Sequence, residues 1–322
     1  MDETTNRGDI SGHEASMSGT RRPVTEASVV KIDGLMARQV QDNLATEEPL
    51  EIQLGFGPFS SRQRKSISIT MRTPGNDFEL AAGFLMTEGV VHDANDIEEI
   101  AYALPDYPGT EKNTKDATPH PVIFTENAVR VELAPDVPVS LANLERNFYT
   151  TSSCGICGKA SLLALRTVCP PRIYSTFALD AEVLYRLPGR LLDAQSVFGQ
   201  TGGLHGAGLF DANGELLAAR EDVGRHNAVD KLIGSEFLAD RTPLRNSLLL
   251  LSGRASFELL QKALMGGVPM VASVGAPSSL AVKVAKEFDI TLIGFLRENQ
   301  FNIYHGEERI RGCISPTNGA NQ

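Results

Sequence analysis

Three short apolar runs, each emptying into a small-residue loop and two of them then into a helical pattern, constrain this chain more than any other feature. Leu248-Leu249-Leu250-Leu251 runs into Ser252-Gly253-Arg254-Ala255-Ser256 and a helix over 257–265. Met270-Val271-Ala272-Ser273-Val274 leads through Gly275-Ala276-Pro277-Ser278 into a helix over 279–288, and Thr291-Leu292-Ile293-Gly294-Phe295 empties into Leu296-Arg297-Glu298-Asn299-Gln300. Apolar runs without polar alternation belong to strands buried on both faces, so these units predict a three-layer αβα arrangement with the strands in the middle. If the strands run parallel, all three loops share one edge of the sheet, the edge at which such folds bind ligands.

Helix N-termini aim N–H groups at that edge. Ser252, Ser256 and Ser278 add hydroxyls, and Arg254 and Arg297 add guanidinium groups suited to phosphate, so the expected ligand is anionic and nucleotide-like. Taken singly, each serine and glycine would serve equally well to cap a helix or turn the chain. Two more segments carry charge or a titratable group. His205 lies among glycines in Thr201-Gly202-Gly203-Leu204-His205-Gly206-Ala207-Gly208-Leu209-Phe210, which suits an acid–base or ligand-contacting imidazole, or a hydrogen-bonded turn. Arg220-Glu221-Asp222-Val223-Gly224-Arg225-His226-Asn227 precedes a helical pattern over 228–233. There Arg225 and His226 suit an anion, while Glu221 and Asp222 either orient His226 or satisfy the arginine in a structural ion-pair cluster.

The run Thr151-Ser152-Ser153-Cys154-Gly155-Ile156-Cys157-Gly158-Lys159 places two thiols three positions apart, ahead of an Ala- and Leu-rich stretch over 159–166 that reads as a short helix. Free N–H groups, the positive end of the helix dipole and the Lys159 ammonium all favour thiolate, the form that attacks sulfur or binds metal. A structural zinc site needs four ligands and no second CxxC occurs. The His-x-Glu of zinc deaminases is also missing. A thiol–disulfide oxidoreductase would carry its CxxC near the start of a small βαβ domain.

The first half reads differently. Leu50-Glu51-Ile52-Gln53-Leu54 and Ser66-Ile67-Ser68-Ile69-Thr70-Met71 alternate like half-buried strands, and Ala128-Val129-Arg130-Val131-Glu132-Leu133 reads as another strand. Between them, Asp77 is expected to cap a helix over 78–86 after the turn Pro74-Gly75-Asn76-Asp77. Residues 104–121 collect Pro, Gly, Asp, Lys and Thr as an exposed insertion, and a helical stretch over 141–148 ends at a domain boundary near 150. The expected organisation is a disordered tail over 1–27, a smaller N-terminal α+β domain over 28–150, a C-terminal αβα domain over 151–316 and a disordered tail over 317–322.

Composition excludes several classes. With 322 residues and 42% hydrophobic content there is enough chain for a sizeable core. A net charge of -10 and a pI near 5.2 argue against a broad nucleic-acid surface. The four cysteines, Cys154, Cys157, Cys169 and Cys313, are too few for a disulfide framework, and the last two read as incidental. No signal peptide and no run of about 20 apolar residues is present, so no membrane span and a cytoplasmic location are expected.

The cysteine loop, Thr201 to Phe210, Arg220 to Lys231, Leu251 to Gly267 and Val274 to Gln300 together resemble the formate dehydrogenase accessory sulfurtransferase (FdhD) family. The resemblance covers most of 28–312. It implies a homodimer, a C-terminal domain similar to the cytidine deaminase fold, and a sulfur carrier acting between a cysteine desulfurase and formate dehydrogenase. The substrate it implies is a molybdenum cofactor in its bis-guanine-dinucleotide form, with no permanent cofactor. By analogy with the family, Cys154 carries the persulfide and Cys157 assists or releases sulfur by forming a disulfide. Local electrostatics favour Cys157, which lies nearer the helix start. The family's cofactor-contacting segment maps onto Phe295, Leu296, Arg297, Glu298, Asn299 and Gln300. Ser252, Gly253, Arg254, His205, Arg225 and His226 complete the expected binding set.

Overall fold

The computed structural model describes residues 22–103, 127–139 and 175–313. The cysteine loop, the insertion over 104–121, the helical stretches over 141–148 and 159–166, and the boundary near 150 lie outside the described residues. Strands β1 (Val24–Asp33) and β2 (Met36–Ala45) form a separate antiparallel hairpin. Its first strand begins four residues before Ser28, inside the stretch expected to be tail.

Strands β3 (Glu48–Phe56), β4 (Gln63–Arg72), β5 (Ile97–Tyr102) and β6 (Ala128–Leu133) make a four-stranded sheet in the order β4-β3-β6-β5, with helix α1 (Asp77–Thr87) between β4 and β5 in sequence. The expected cap on α1 is not made. Asn76, in the left-handed region at φ 59°, is the residue at the N-cap, and no side chain caps the helix. The Asp77 carboxylate instead receives two 2.9 Å hydrogen bonds from Arg72. Arg72 is completely buried, and a buried guanidinium without a bidentate acceptor would cost far more than an uncapped helix turn.

The second half begins with β7 (Leu179–Asp180), α2 (Ala181–Ala194) and α3 (Ser196–Thr201), followed by β8 (His205–Phe210), β9 (Leu216–Asp222) and α4 (Arg225–Leu238). Helix α4 starts three residues before the helical pattern read at Ala228, which puts Arg225 and His226 in its first turn. Then come β10 (Leu248–Leu251), α5 (Phe257–Met265), β11 (Met270–Ser273), α6 (Ser279–Phe288), β12 (Thr291–Gly294), β13 (Asn302–His305) and β14 (Ile310–Arg311).

The main sheet has the order β13-β12-β11-β10-β8-β9. Strands β10, β11 and β12 run parallel, the condition for a shared loop edge, while β8 pairs antiparallel with β10 and β13 antiparallel with β12. Their side chains divide between two cores. Leu249, Leu251, Val271 and Leu292 join α4, α5 and α6 in a cluster continuous with Leu50, Ile52, Leu54 and α1 of the first half. Leu248, Leu250, Met270 and Ile293 face the other way, onto Leu184, Leu187 and Leu191 of α2. Helices therefore cover both faces, and each fully buried leucine contributes roughly 1.5–3 kcal/mol.

The two halves meet where α1 crosses α4. Asp222, at the end of β9, accepts from Thr73 N, Gly224 N and Asn227 and pairs with Lys231 at 2.8 Å. Lys231 in turn donates to the Thr73 carbonyl.

Candidate functional site

The loops that follow β10, β11 and β12 lie side by side on one edge of the sheet and are stitched together by backbone hydrogen bonds. Gly275 N donates to Gly253 O, Ser278 N to Ala255 O, and Phe295 N to Gly275 O. The start of β8 completes the row, because Ser252 N donates to Gly206 O while the Ser252 hydroxyl accepts from Gly206 N at 2.8 Å. Four segments distant in sequence thus make one continuous surface. Glycine permits the close approach: a Cβ on Gly275 would stand 2.9 Å from Gly253 O.

His205, Arg225 and His226 meet at one end of this edge. Gly253 passes beside the ring of His205, where a Cβ would stand 3.4 Å from Nδ1. Burial, followed by the charges of Arg225 and His226, holds the His205 imidazole below its ordinary range, with Asp222 opposing. The lowered value favours a neutral His205 imidazole beside the Arg225 guanidinium. Arg225 makes no hydrogen bond to the described residues, and its Nε is buried and unpaired. Such a group costs free energy unless something satisfies it. The Gln195 carboxamide, packed against Gly206 on the opposite face of β8, also has a buried unpaired Nε2.

Phe295 marks the other end. Its φ is +54°, a conformation rare for a bulky side chain, and the residue is 39% exposed. An exposed aromatic on this edge offers a flat face to a planar base. Arg297, Glu298, Asn299 and Gln300 form an exposed turn closed by Arg297 N donating to Gln300 O at 2.8 Å. Leu296 differs from its neighbours. It is completely buried in the core, and only its backbone reaches the edge. Arg254 and Arg297 are exposed and make no ion pair among the described residues.

The structure sorts the serines and acids by partner. Ser278 caps α6 by accepting from Ala281 N at 3.1 Å, whereas Ser256 at the equivalent place on α5 makes no cap and lies 3.5 Å from His226 Nε2. Glu221 neither orients His226 nor meets Arg225. It accepts from the N–H groups of Val197 and Phe198 at the start of α3. Asp222 is taken up by Lys231 and its backbone donors, and Arg220 is held by Glu79 at 2.5 and 2.6 Å. Glu258, which no sequence motif singled out, approaches His226 Nε2 to 3.9 Å. The only local signal for it is an acidic residue in the first turn of α5. Cys154 and Cys157 lie outside the described residues. Cys313 is free and exposed.

No helix among the described residues is long and apolar enough to cross a membrane. The FdhD/NarQ family model matches residues 45–311. The sulfur carrier protein FdhD of Streptomyces avermitilis is 50% identical over 291 residues, which span 89% of this chain and 96% of that protein. Its counterpart in Mycobacterium tuberculosis is 49% identical over 272 residues, 84% of this chain and 92% of that one. In Saccharolobus solfataricus the identity is 36% over 287 residues, 89% and 98% of the two chains. A crystal structure of a candidate formate dehydrogenase accessory protein from Desulfotalea psychrophila superposes with a TM-score of 0.65 at 24% identity, covering 90% of this chain and 100% of that one. At that identity the likeness is one of fold.

Proposed function

Because the chain belongs to the FdhD/NarQ family, we propose that it is a sulfurtransferase that carries sulfur from a cysteine desulfurase to a molybdenum cofactor destined for formate dehydrogenase. The thiolate of Cys154 attacks the terminal sulfur of the desulfurase persulfide. The S–S bond breaks, the desulfurase leaves as a thiolate, and Cys154 becomes the persulfide. Cys157 then attacks the inner sulfur of Cys154, forming a disulfide and releasing hydrosulfide as the sulfur donated to molybdenum.

The substrate in this reading is the bis-guanine-dinucleotide form of the cofactor. The observation that carries it is the sheet edge itself: Arg225 without a partner among the described residues, exposed Arg254 and Arg297, and the exposed side chain of Phe295 along one continuous surface. Arginine forks suit the pyrophosphates, and Phe295 offers a stacking face for guanine. Neutral His205 adds a proton acceptor at the same edge. The protein works in the cytoplasm as a homodimer, and its αβα half is similar to the cytidine deaminase fold.

Intact-protein mass spectrometry after incubation with a cysteine desulfurase and cysteine tests the carrier role. A sulfane adduct of about 32 Da is expected on the wild type and on Cys157→Ala, but not on Cys154→Ala. An adduct that persists without Cys154 and vanishes without Cys157 moves the persulfide to Cys157. A folded wild type that takes up no sulfur from an active desulfurase overturns the carrier role in favour of a chaperone that only holds the cofactor.

A further inference from the structure

Helices α5 and α6 follow the same strand–loop–helix plan, yet their N-cap serines are used differently. Ser278 caps its own helix, whereas Ser256 leaves its helix uncapped and lies 3.5 Å from His226 Nε2. Two residues further along α5, Glu258 Oε2 stands 3.9 Å from that same nitrogen. The first turn of α5 thus presents two oxygens to one atom of the first turn of α4.

We propose that Glu258, with Ser256, is a positioning residue that fixes the His226 ring with its proton on Nε2, leaving Nδ1 as the nitrogen offered to a ligand at the sheet edge. The proposal rests on the reading of that edge as a site for a nucleotide diphosphate.

An ionised carboxylate only accepts hydrogen bonds, so the nitrogen facing it is the one that carries hydrogen. His226 is the principal cause holding the Glu258 carboxyl down to about 2, against the opposing effect of burial. Nδ1 of His226 makes no hydrogen bond to the described residues, which leaves it free for a ligand. At 3.9 Å the pair is looser than a hydrogen bond, and contacts of this length tighten when a ligand is bound. Arg225 on α4, His205 on β8 and Asp222 at the end of β9 are the other charged or titratable groups at this end of the edge. Among the described residues, the polar contacts of the His226 ring are with Ser256 and Glu258.

The test uses the full chain labelled with ¹⁵N-histidine, with the His226 ring assigned by its loss in His226→Gln. Long-range ¹H–¹⁵N spectra above about pH 8, where an ordinary imidazole is neutral, are expected to show His226 of the wild type as the Nε2–H tautomer. Glu258→Ala should populate both tautomers, while Glu258→Gln, whose amide oxygen still accepts, should restore the wild-type pattern. GDP measured by calorimetry should bind roughly tenfold more weakly to Glu258→Ala and within about threefold of wild type to Glu258→Gln. A wild-type ring protonated on Nδ1, or a Glu258→Ala spectrum identical to wild type, overturns the proposal. If GDP fails to bind the wild type while the ring spectra behave as described, the nucleotide reading falls and the positioning role stands.

Discussion

Gly83 of α1 and Gly234 of α4 touch backbone to backbone where the two halves of the molecule cross. A Cβ on Gly83 would overlap the carbonyl oxygen of Asp230, and one on Gly234 would overlap that of Glu79. The side chains of neither helix separate them at this point, so the sheet edge and the four-stranded sheet are set in register by the absence of two methyl groups.

Gly234→Ala is therefore expected to destabilise the protein by about 1–3 kcal/mol, because rigid backbone rather than a flexible side chain must move. Alanine would otherwise favour a helix by about 1 kcal/mol over glycine, so the sign distinguishes crossing from propensity. Urea unfolding should show a lower midpoint at unchanged slope. An unchanged or raised midpoint would mean that the helices are not in contact here.

Lys262 of α5 is buried beneath that crossing, 2.9 Å from Asp230 Oδ2, 3.0 Å from Thr87 Oγ1 and 3.3 Å from Glu88. Burial opposes its charge, but Asp230 and Glu88 outweigh it and the ammonium stays above the usual lysine range. Lys262→Met leaves Asp230 in the core without its counter-ion, with the Thr87 hydroxyl as its remaining side-chain partner among the described residues, and should cost about 3–5 kcal/mol, whereas adding Asp230→Asn should recover part of that loss. A double variant as unstable as the sum of the two single changes would deny the coupling.

The His205 imidazole is held below the ordinary value of 6.5 by burial and then by Arg225 and His226. A base with a depressed folded-state value contributes stability above about pH 6.5, and that contribution is lost as pH falls through the depressed value. The midpoint of the His205 ring proton in NMR should fall below 6.5. In Arg225→Ala it should move back upward, with little change in stability, since Arg225 makes no hydrogen bond to the described residues. A wild-type midpoint at or above the ordinary value would contradict this arrangement of charges.

Phe295 is strained at φ +54°. Glycine removes the strain and alanine does not, so Phe295→Gly should be more stable than Phe295→Ala by about 1 kcal/mol in denaturant titrations. Both should bind GDP about fivefold or more weakly, through loss of the stacking face. Equal stability of the two variants would show that the conformation carries no strain.

Much of the fold was legible without coordinates. The helices over 257–265 and 279–288 and the strand at Ala128–Leu133 are where their periodicity put them. The burial of β10, β11 and β12 on both faces follows from their apolar stretches, and their parallel run meets the condition on which the shared loop edge rested. Polar residues were harder to read. Asp77 looked like a helix cap and is the acceptor for Arg72, and Glu221 looked like a partner for His226 and is bound to the start of α3. Both choices depend on which element packs alongside, which the local pattern does not encode. Glu258 escaped notice for the same reason.

By itself, then, the sequence determined the periodic elements and the burial of the three central strands on both faces, and it made the gathering of their loops at one edge conditional on a parallel run, because hydrophobic period and chain turning are local properties. The tertiary structure alone decided which charge meets which. Arg220 went to Glu79, Lys262 to Asp230, and His226 to Glu258, while Arg225 was left without a protein partner among the described residues. These pairings join residues up to 141 positions apart in the chain, and the packing of α1 against β9 and of α5 against α4 sets the distances at which they form.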